Sequence, residues 1–87
     1  MKHFAAPSFW ENYERLPVNI QKLADQNYNR LKSNPRHPAL HFKKIGEYRS
    51  VRVGLHYRAL AVEIPGGFLW FWIGAHDEYQ RMIKEEG

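Results

Sequence analysis

The sequence contains no cysteine among its 87 residues. This absence excludes a disulfide scaffold, a thiolate metal site and a cysteine nucleophile, and it suits a reducing cytoplasm. A long apolar run is also missing: the longest, 68–75, has eight residues including one glycine, whereas a membrane-spanning helix needs about 20. The first nine residues lack the apolar run of a signal peptide. We therefore expect a soluble, cytoplasmic protein that does not interact with membranes.

The length and composition are those of one small folded domain. A chain of 87 residues corresponds to a single domain, which we place at residues 1–87. A domain this small depends on large side chains to build a core, and the sequence supplies three Trp, five Tyr and five Phe. Hydrophobic residues make up 44% and charged residues 25%, proportions that favour a globular protein over a disordered one.

The positive charge is concentrated in residues 36–58, which we call the basic segment. It holds six Lys or Arg residues against one acidic residue, a charge of +5, while the whole chain carries +4. The rest of the chain therefore sums to −1. A basic surface beside aromatic side chains is typical of proteins that bind a polyphosphate.

The N-terminal third follows a helical pattern. Ser8 and Glu11 have the spacing of a capping box and predict the start of a short amphipathic helix. Pro17 suits the first turn of a second helix, and Asn34-Pro35 predicts its end. The predicted apolar face of that second helix consists of Ile20, Leu23, Ala24, Tyr28 and Leu31.

The remaining chain alternates with a period of two, which is typical of strands. The pattern predicts strands at 48–53, 57–64 and 68–73, with the last one central because it is almost wholly apolar. Residues 2–6 are predicted as a short first strand, and residues 77–85 as a closing helix. The predicted fold is α+β in the order β-α-α-β-β-β-α, an antiparallel sheet with the two N-terminal helices on one face.

Alternation inside the strand at 48–53 sorts its side chains between the two faces of the sheet. Val51 and Val53 fall on one face, and Ser50 and Arg52 fall on the other. Arg52 is therefore either a surface residue or part of a basic face that binds phosphates.

Six short motifs, taken in order, cover nearly the whole chain. They are Phe9-Trp10-x-x-Tyr13, Leu16-Pro17, Asn34-Pro35-x-x-Pro38-x-Leu40-x-Phe42-Lys43, Ser50-Val51-Arg52-Val53, Tyr57-Arg58-Ala59-Leu60 and Trp70-Phe71-Trp72-Ile73-Gly74-x-His76-x-x-Tyr79.

Together these motifs resemble the RelE/ParE superfamily of bacterial toxins, in particular its RelE-like cytotoxic translational repressors. The resemblance implies a RelE-like fold and a toxin of a type II toxin–antitoxin system. It implies a ribosome-dependent endoribonuclease that cleaves mRNA, and a cognate antitoxin that wraps and silences it. The implied chemistry needs no metal or other cofactor: the 2′-OH of the RNA attacks the adjacent phosphate, which leaves a cyclic phosphate and a free 5′-OH.

The resemblance also implies which residues act on the RNA. The RNA-cleaving branch has a Tyr-Lys pair and, nine residues later, a Tyr-Arg pair. Tyr48-Arg49 and Tyr57-Arg58 have that spacing, so Arg58 matches the arginine that stabilises the phosphate, and Arg49 takes the lysine position.

At the end of the sheet, His76 resembles a histidine of other branches, with Tyr79 three residues beyond it. His76 is either a general acid or base, since histidine exchanges protons near neutral pH, or a residue that ends the sheet and starts a helix. Tyr79 is either catalytic or part of the core, because it shares a helical face with Met82 and Ile83.

Three other residues of the basic segment have expected roles in binding RNA or in balancing charge. Lys43 and Lys44 are interpreted as a solvated pair that attracts RNA phosphates, a role that demands little geometry. Glu47 is either a catalytic base, as in some relatives, or an ion-pair partner among cations. The histidines at 3, 37, 41 and 56 have no spacing typical of metal ligands, so we expect no metal.

The resemblance leaves two other functions open. One is a toxin of the ParE type, which binds and inhibits DNA gyrase and needs no catalytic residues. The other is an inactive relative that serves only as the partner of its antitoxin. The group of Arg58, His76 and Tyr79 favours the endoribonuclease.

Overall fold

The chain forms a short strand, two helices, a 3-10 turn, four antiparallel strands and a final helix. The structure, a computed structural model, describes the backbone of residues 2–86 and the side chains of residues 2–84. The elements in chain order are β1 (Lys2–Ala5), α1 (Pro7–Glu14), α2 (Val18–Ser33), the 3-10 turn (Pro38–Leu40), β2 (Lys43–Ile45), β3 (Tyr48–Val53), β4 (Tyr57–Ile64), β5 (Gly67–Ala75) and α3 (His76–Glu86).

The five strands form one sheet in the order β1-β5-β4-β3-β2. Strands β2 to β5 pair antiparallel, whereas β1 pairs parallel to β5. The α+β class is therefore confirmed, but the prediction of a wholly antiparallel sheet is wrong at the β1 edge. A parallel partner is reached only after a long crossover, and here the crossover includes both N-terminal helices. The prediction also missed β2, a three-residue strand with two lysines.

The sheet is covered on both faces. Helices α1 and α2 cover one face, as predicted, where Leu31, Val51 and Trp70 belong to the larger buried cluster. Helix α3 covers the other face, where Leu60, Trp72 and Tyr79 form a second buried cluster. We call these the α1/α2 face and the α3 face.

A β-bulge explains how β5 fills both cores. Leu60 of β4 is opposite Trp72, while Ala61 is opposite Trp70. Phe71 is therefore the extra residue, and an extra residue re-aims the side chains that follow it. Trp70 packs in the α1/α2 core, while Phe71 and Trp72 pack beneath α3. The prediction that this apolar strand is covered on both faces is confirmed.

Helix α1 begins differently from the capping-box prediction. It starts at Pro7, with Ala6 as the N-cap residue and no side-chain cap. Proline is favoured at the first helical position, where its missing N–H is not needed. Ser8 therefore lies inside the helix, and its Oγ donates a hydrogen bond to the carbonyl of Phe71 at 2.7 Å. The capping-box prediction is wrong, and Ser8 instead ties α1 to β5.

Helix α2 follows its predicted face except at Tyr28. Ile20, Leu23 and Ala24 pack against the α1/α2 core, and Leu31 is buried in it. Tyr28 is 43% exposed, with its ring edge against His3 at 6.1 Å. The cause is that Tyr28 packs against the edge strand β1 rather than beneath the sheet.

His3 connects β1 to the core through a hydrogen bond that requires a neutral imidazole. Trp70 Nε1 donates to His3 Nδ1 at 3.1 Å, and the His3 ring stacks on Phe68 with centroids 5.8 Å apart. Burial, aided by the nearby Lys32 ammonium, lowers the pKa of His3 below 6.5. A protonated Nδ1 would have no lone pair to accept the indole proton.

We expect the free energy of unfolding to fall on acidification, in part through His3. A histidine whose pKa is lowered in the folded state stabilises fully above about 6.5, and that stabilisation is lost as the pH falls through 6.5 to the folded value. Urea unfolding of the wild type and of His3→Gln at pH 7.5 and pH 5 measures this effect. The wild type should lose more stability than the variant. Equal losses would contradict the assignment.

Candidate functional site

The sheet register divides the predicted site residues between the two faces. Arg52 of β3 is directly opposite Arg58 of β4, and both alternate with residues of the α1/α2 core, so they lie on the α3 face. Lys43 of β2 is opposite Ser50, which places it on that same face. These three cations therefore share one surface.

Arg49 and Lys44 lie on the α1/α2 face. They are opposite each other on β3 and β2, and Arg49 precedes the core residue Val51 by two positions. The Arg49 guanidinium forms an ion pair with Glu63 at 3.3 Å and lies 5.7 Å from the centre of the Phe68 ring. The structure thus separates Arg49 from the other predicted catalytic residues.

The guanidinium groups of Arg52 and Arg58 share one carbonyl acceptor. Arg52 Nε donates to the Gly54 carbonyl at 3.2 Å, and Arg58 Nη1 donates to it at 3.3 Å. Arg58 Nη1 also donates to the carbonyl of Tyr57 at 2.7 Å. The turn between β3 and β4 therefore holds the two cations side by side.

This arginine pair is electrostatically suited to an anion. Burial and the neighbouring Arg52 charge lower the pKa of Arg58, although an arginine remains cationic at neutral pH. Arg49, by contrast, is paired with Glu63 on the other face. A phosphate between Arg52 and Arg58 would relieve their repulsion and accept two-pronged hydrogen bonds.

Tyr79 lies beneath this pair and connects it to His76. The Arg58 guanidinium carbon is 5.9 Å from the centre of the Tyr79 ring. The centres of the His76 and Tyr79 rings are 5.7 Å apart. Tyr79 is only 3% exposed, and its hydroxyl accepts a hydrogen bond from Ser50 Oγ at 3.0 Å. Its packing in the core, one of the two interpretations of Tyr79, is thereby confirmed.

His76 is the first residue of α3 and directly follows the last residue of β5. Its backbone N–H donates to the carbonyl of His56 at 2.8 Å, which joins the start of α3 to the turn that holds the arginines. Its Nε2 lies 3.2 Å from the side-chain nitrogen of Gln80. The half-buried ring therefore lies at the end of the sheet beside Tyr79.

The structure also bears on Glu47, on metal binding and on membrane-spanning helices. Glu47 lies in the exposed turn between β2 and β3 and interacts with other groups. The described residues contain no group of three or more His, Cys, Asp or Glu side chains that could hold a metal ion. None of the described helices is long and apolar enough to cross a membrane.

Sequence reasoning missed two residues of this site, Ser50 and His41. The alternation of β3 placed Ser50 on the correct face, but its hydrogen bond to Tyr79 joins elements that are far apart in sequence. His41 Nε2 lies 3.4 Å from Arg52 Nη1 because His41 has a left-handed backbone, with φ 45 and ψ 46. No local sequence signal marks that conformation at a histidine.

Comparison of the whole fold with solved structures finds bacterial and archaeal toxins. A RelB–RelE antitoxin–toxin complex from Methanococcus jannaschii is similar at TM-score 0.70 and 19% identity, over 91% of this chain and 96% of that chain. The isolated E. coli RelE toxin is similar at TM-score 0.62 and 11% identity, over 95% of both chains. A YoeB/ParE toxin from Agrobacterium tumefaciens is similar at TM-score 0.58 and 19% identity, over 87% of this chain and 99% of that chain.

The chain therefore has the same fold as these RelE and YoeB/ParE structures, which is the fold that the sequence resemblance implied. Comparisons with protein-family models and with curated protein sequences give no match. At these identities the likeness to solved structures establishes the fold, while the chemistry has to be argued from the residues of the α3 face.

Proposed function

We propose that this protein is the toxin of a type II toxin–antitoxin system and a metal-independent endoribonuclease that cleaves mRNA on the ribosome. The observation that carries the proposal is the Arg52–Arg58 pair beside Tyr79 and His76 on the α3 face. A 2′-OH attack on a phosphate requires cations that stabilise the phosphorane and groups that move two protons; this cluster supplies the cations and one imidazole. The similarity of the fold to RelE and YoeB/ParE toxins supports the same proposal.

In the proposed reaction, the 2′-oxygen of the RNA bonds to the adjacent phosphorus and the bond from phosphorus to the 5′-oxygen breaks. Arg58 binds the phosphoryl oxygens and stabilises the extra negative charge of the phosphorane. His76 carries a proton in one of the two transfers, from the 2′-OH or to the leaving oxygen, and solvent water exchanges the other proton. Arg52 and Lys43 hold phosphates on the same face, and Arg49 has no part in the step.

The proposal is tested by expressing the toxin without an antitoxin. We expect growth arrest with new mRNA ends that primer extension maps within coding sequences. Intact transcripts in arrested cells, together with inhibited supercoiling by purified gyrase, would instead assign the protein to the gyrase-binding class. Normal growth at a verified protein level would indicate an inactive relative.

We assign Tyr79 to positioning, and two variants separate its ring from its hydroxyl. Tyr79→Phe should retain most cleavage, because the ring beneath Arg58 and beside His76 remains. It should lower the free energy of unfolding by about 1–3 kcal/mol, because the buried Ser50 hydroxyl loses its partner. Tyr79→Leu should lose cleavage, because the ring is gone. Single-turnover cleavage and urea unfolding measure both effects, and a Phe variant as inactive as the Leu variant would make the hydroxyl a proton-transfer group.

We also propose that a cognate antitoxin silences the toxin by covering the α3 face with an acidic or amphipathic segment. Charge complementarity to Lys43, Arg52 and Arg58 would speed association and select the partner. An apolar cavity of about 110 Å³ between β1, α1 and α2, where Phe4 and Trp10 are exposed, offers a second contact. Complex affinity should fall with salt, and a salt-insensitive complex that leaves Arg52 and Arg58 accessible would contradict this.

A further inference from the structure

A cleft lined by one arginine and two histidines lies next to the Arg52–Arg58 pair, in the segment between α2 and β2. The cleft has a volume of about 440 Å³. Its lining residues are Pro35, Arg36, His37, Pro38, His41 and Phe42.

The backbone around this cleft is fixed before any ligand arrives. The His37 N–H donates to the Asn34 carbonyl, and the Leu40 N–H donates to the His37 carbonyl, both at 3.0 Å. The Arg36 N–H donates to Asn34 Oδ1 at 3.1 Å. Leu40 is fully buried and anchors the segment in the core. A preformed site loses less conformational entropy on binding.

The two histidines of the cleft are oriented by specific contacts. His37 Nδ1 accepts the Ala39 N–H at 3.1 Å, so a neutral His37 carries its proton on Nε2 and can donate it to a ligand. His41 is, among residues 2–86, the one non-glycine residue with positive φ. Such a conformation strains the backbone of a non-glycine residue, and here it turns the His41 ring to within 3.4 Å of Arg52. His41 thus joins the cleft to the arginine pair.

The electrostatics around the cleft favour a polyanion. From Gln26 to Gly46 the sequence has five basic residues and no acidic residue. Arg36 and His41 are exposed on this segment, and its Lys43 lies on the α3 face. Rings beside hydrogen-bond donors also suit a nucleotide, whose base stacks while its phosphate accepts hydrogen bonds.

We propose that this cleft binds a flanking nucleotide of the RNA strand whose scissile phosphate lies at Arg58, with Arg36 and His37 on its phosphate and His41 as the connection to Arg52. This inference rests on the proposed function and adds a second RNA subsite to it. An acidic protein segment is the competing occupant. We favour the nucleotide because one ligand would then place a base against the His41 and Phe42 rings and a phosphate against Arg36 and His37.

Fluorescence anisotropy with a labelled 12-nucleotide RNA, methylated at every 2′-oxygen to block cleavage, tests the subsite on the full-length toxin. Arg36→Gln should weaken binding on the order of tenfold, as for a lost charged hydrogen bond. It should also reduce the slope of log K against log salt by about 0.7, as for one single-strand phosphate. His41→Gly removes the ring but suits the positive φ, so it should weaken binding without loss of stability. Arg15 is an exposed arginine directly after α1, so Arg15→Gln is the matched control and should bind as the wild type does.

Several outcomes would overturn the inference: no RNA binding by the wild type at low salt, equal binding by the Arg36 and Arg15 variants, or displacement of the RNA by oligoglutamate of equal charge. Cleavage of mRNA on programmed ribosomes is measured separately. RNA binding that depends on Arg36, without any cleavage, would overturn the proposed endoribonuclease and leave the subsite standing. Cleavage of mRNA together with RNA binding that does not depend on Arg36 would overturn the subsite and leave the proposed endoribonuclease standing.

Discussion

We expect Arg58→Ala to abolish toxicity and to slow single-turnover cleavage on programmed ribosomes by about 10²- to 10³-fold. The phosphorane carries more negative charge than the phosphate it comes from, so a fixed guanidinium stabilises the transition state more than the ground state. Arg58 is fixed by the carbonyls of Gly54 and Tyr57 and by the Tyr79 ring. Arg58→Lys should be a poor substitute, because an ammonium cannot make the planar two-pronged contact.

Arg49→Ala is the matched control for this prediction. It removes the same side chain from the neighbouring strand β3 of the basic segment, but on the α1/α2 face. Loss of its half-exposed ion pair with Glu63 should change stability by less than about 1 kcal/mol and leave cleavage near the wild-type rate. Wild-type cleavage by the Arg58 variant, or equal losses by both variants, would contradict the proposed site. Early melting of the Arg58 variant alone would show that Arg58 is structural.

The strands were predictable because their signals are local. Alternation predicted β3 and β4 at the bounds that the structure gives, and it placed Val51 and Ser50 on opposite faces. The parallel partner of β1 was not predictable, since Lys2 and Gly67 meet only after the chain has formed both helices and three strands. The sequence of a four-residue edge strand does not indicate which strand it pairs with.

The site was predictable in part. Alternation alone would have separated Arg49 from Arg52, because residues three apart in a strand lie on opposite faces. The family spacing nevertheless grouped Arg49 with Arg58, because it aligns positions and not faces. His41 was missed for another reason: its left-handed backbone is set by the segment that Pro38 and the buried Leu40 hold in place.

The stability of the α3 face should depend strongly on Leu60. This side chain has no exposed surface, and with Trp72 and Tyr79 it forms the cluster on which α3 packs. Leu60→Ala should lower the free energy of unfolding by about 2–5 kcal/mol, since lost burial and an unfilled cavity both contribute. In a domain of this size, that loss of free energy should lower the melting temperature by on the order of 10–30 °C.

Leu55→Ala is the matched control for Leu60, because it deletes the same atoms from a side chain that is 69% exposed. Its effect should stay within about 0.5 kcal/mol. Thermal unfolding followed by circular dichroism measures both variants. Loss of Leu60 should also lower toxicity, because His76 and Tyr79 are carried by the helix that this cluster holds against the sheet. If the two variants melted together, the α3 cluster would not be what stabilises the domain. If Leu60→Ala melted early but cleaved RNA at the wild-type rate below its transition, the position of α3 would not control the chemistry of His76.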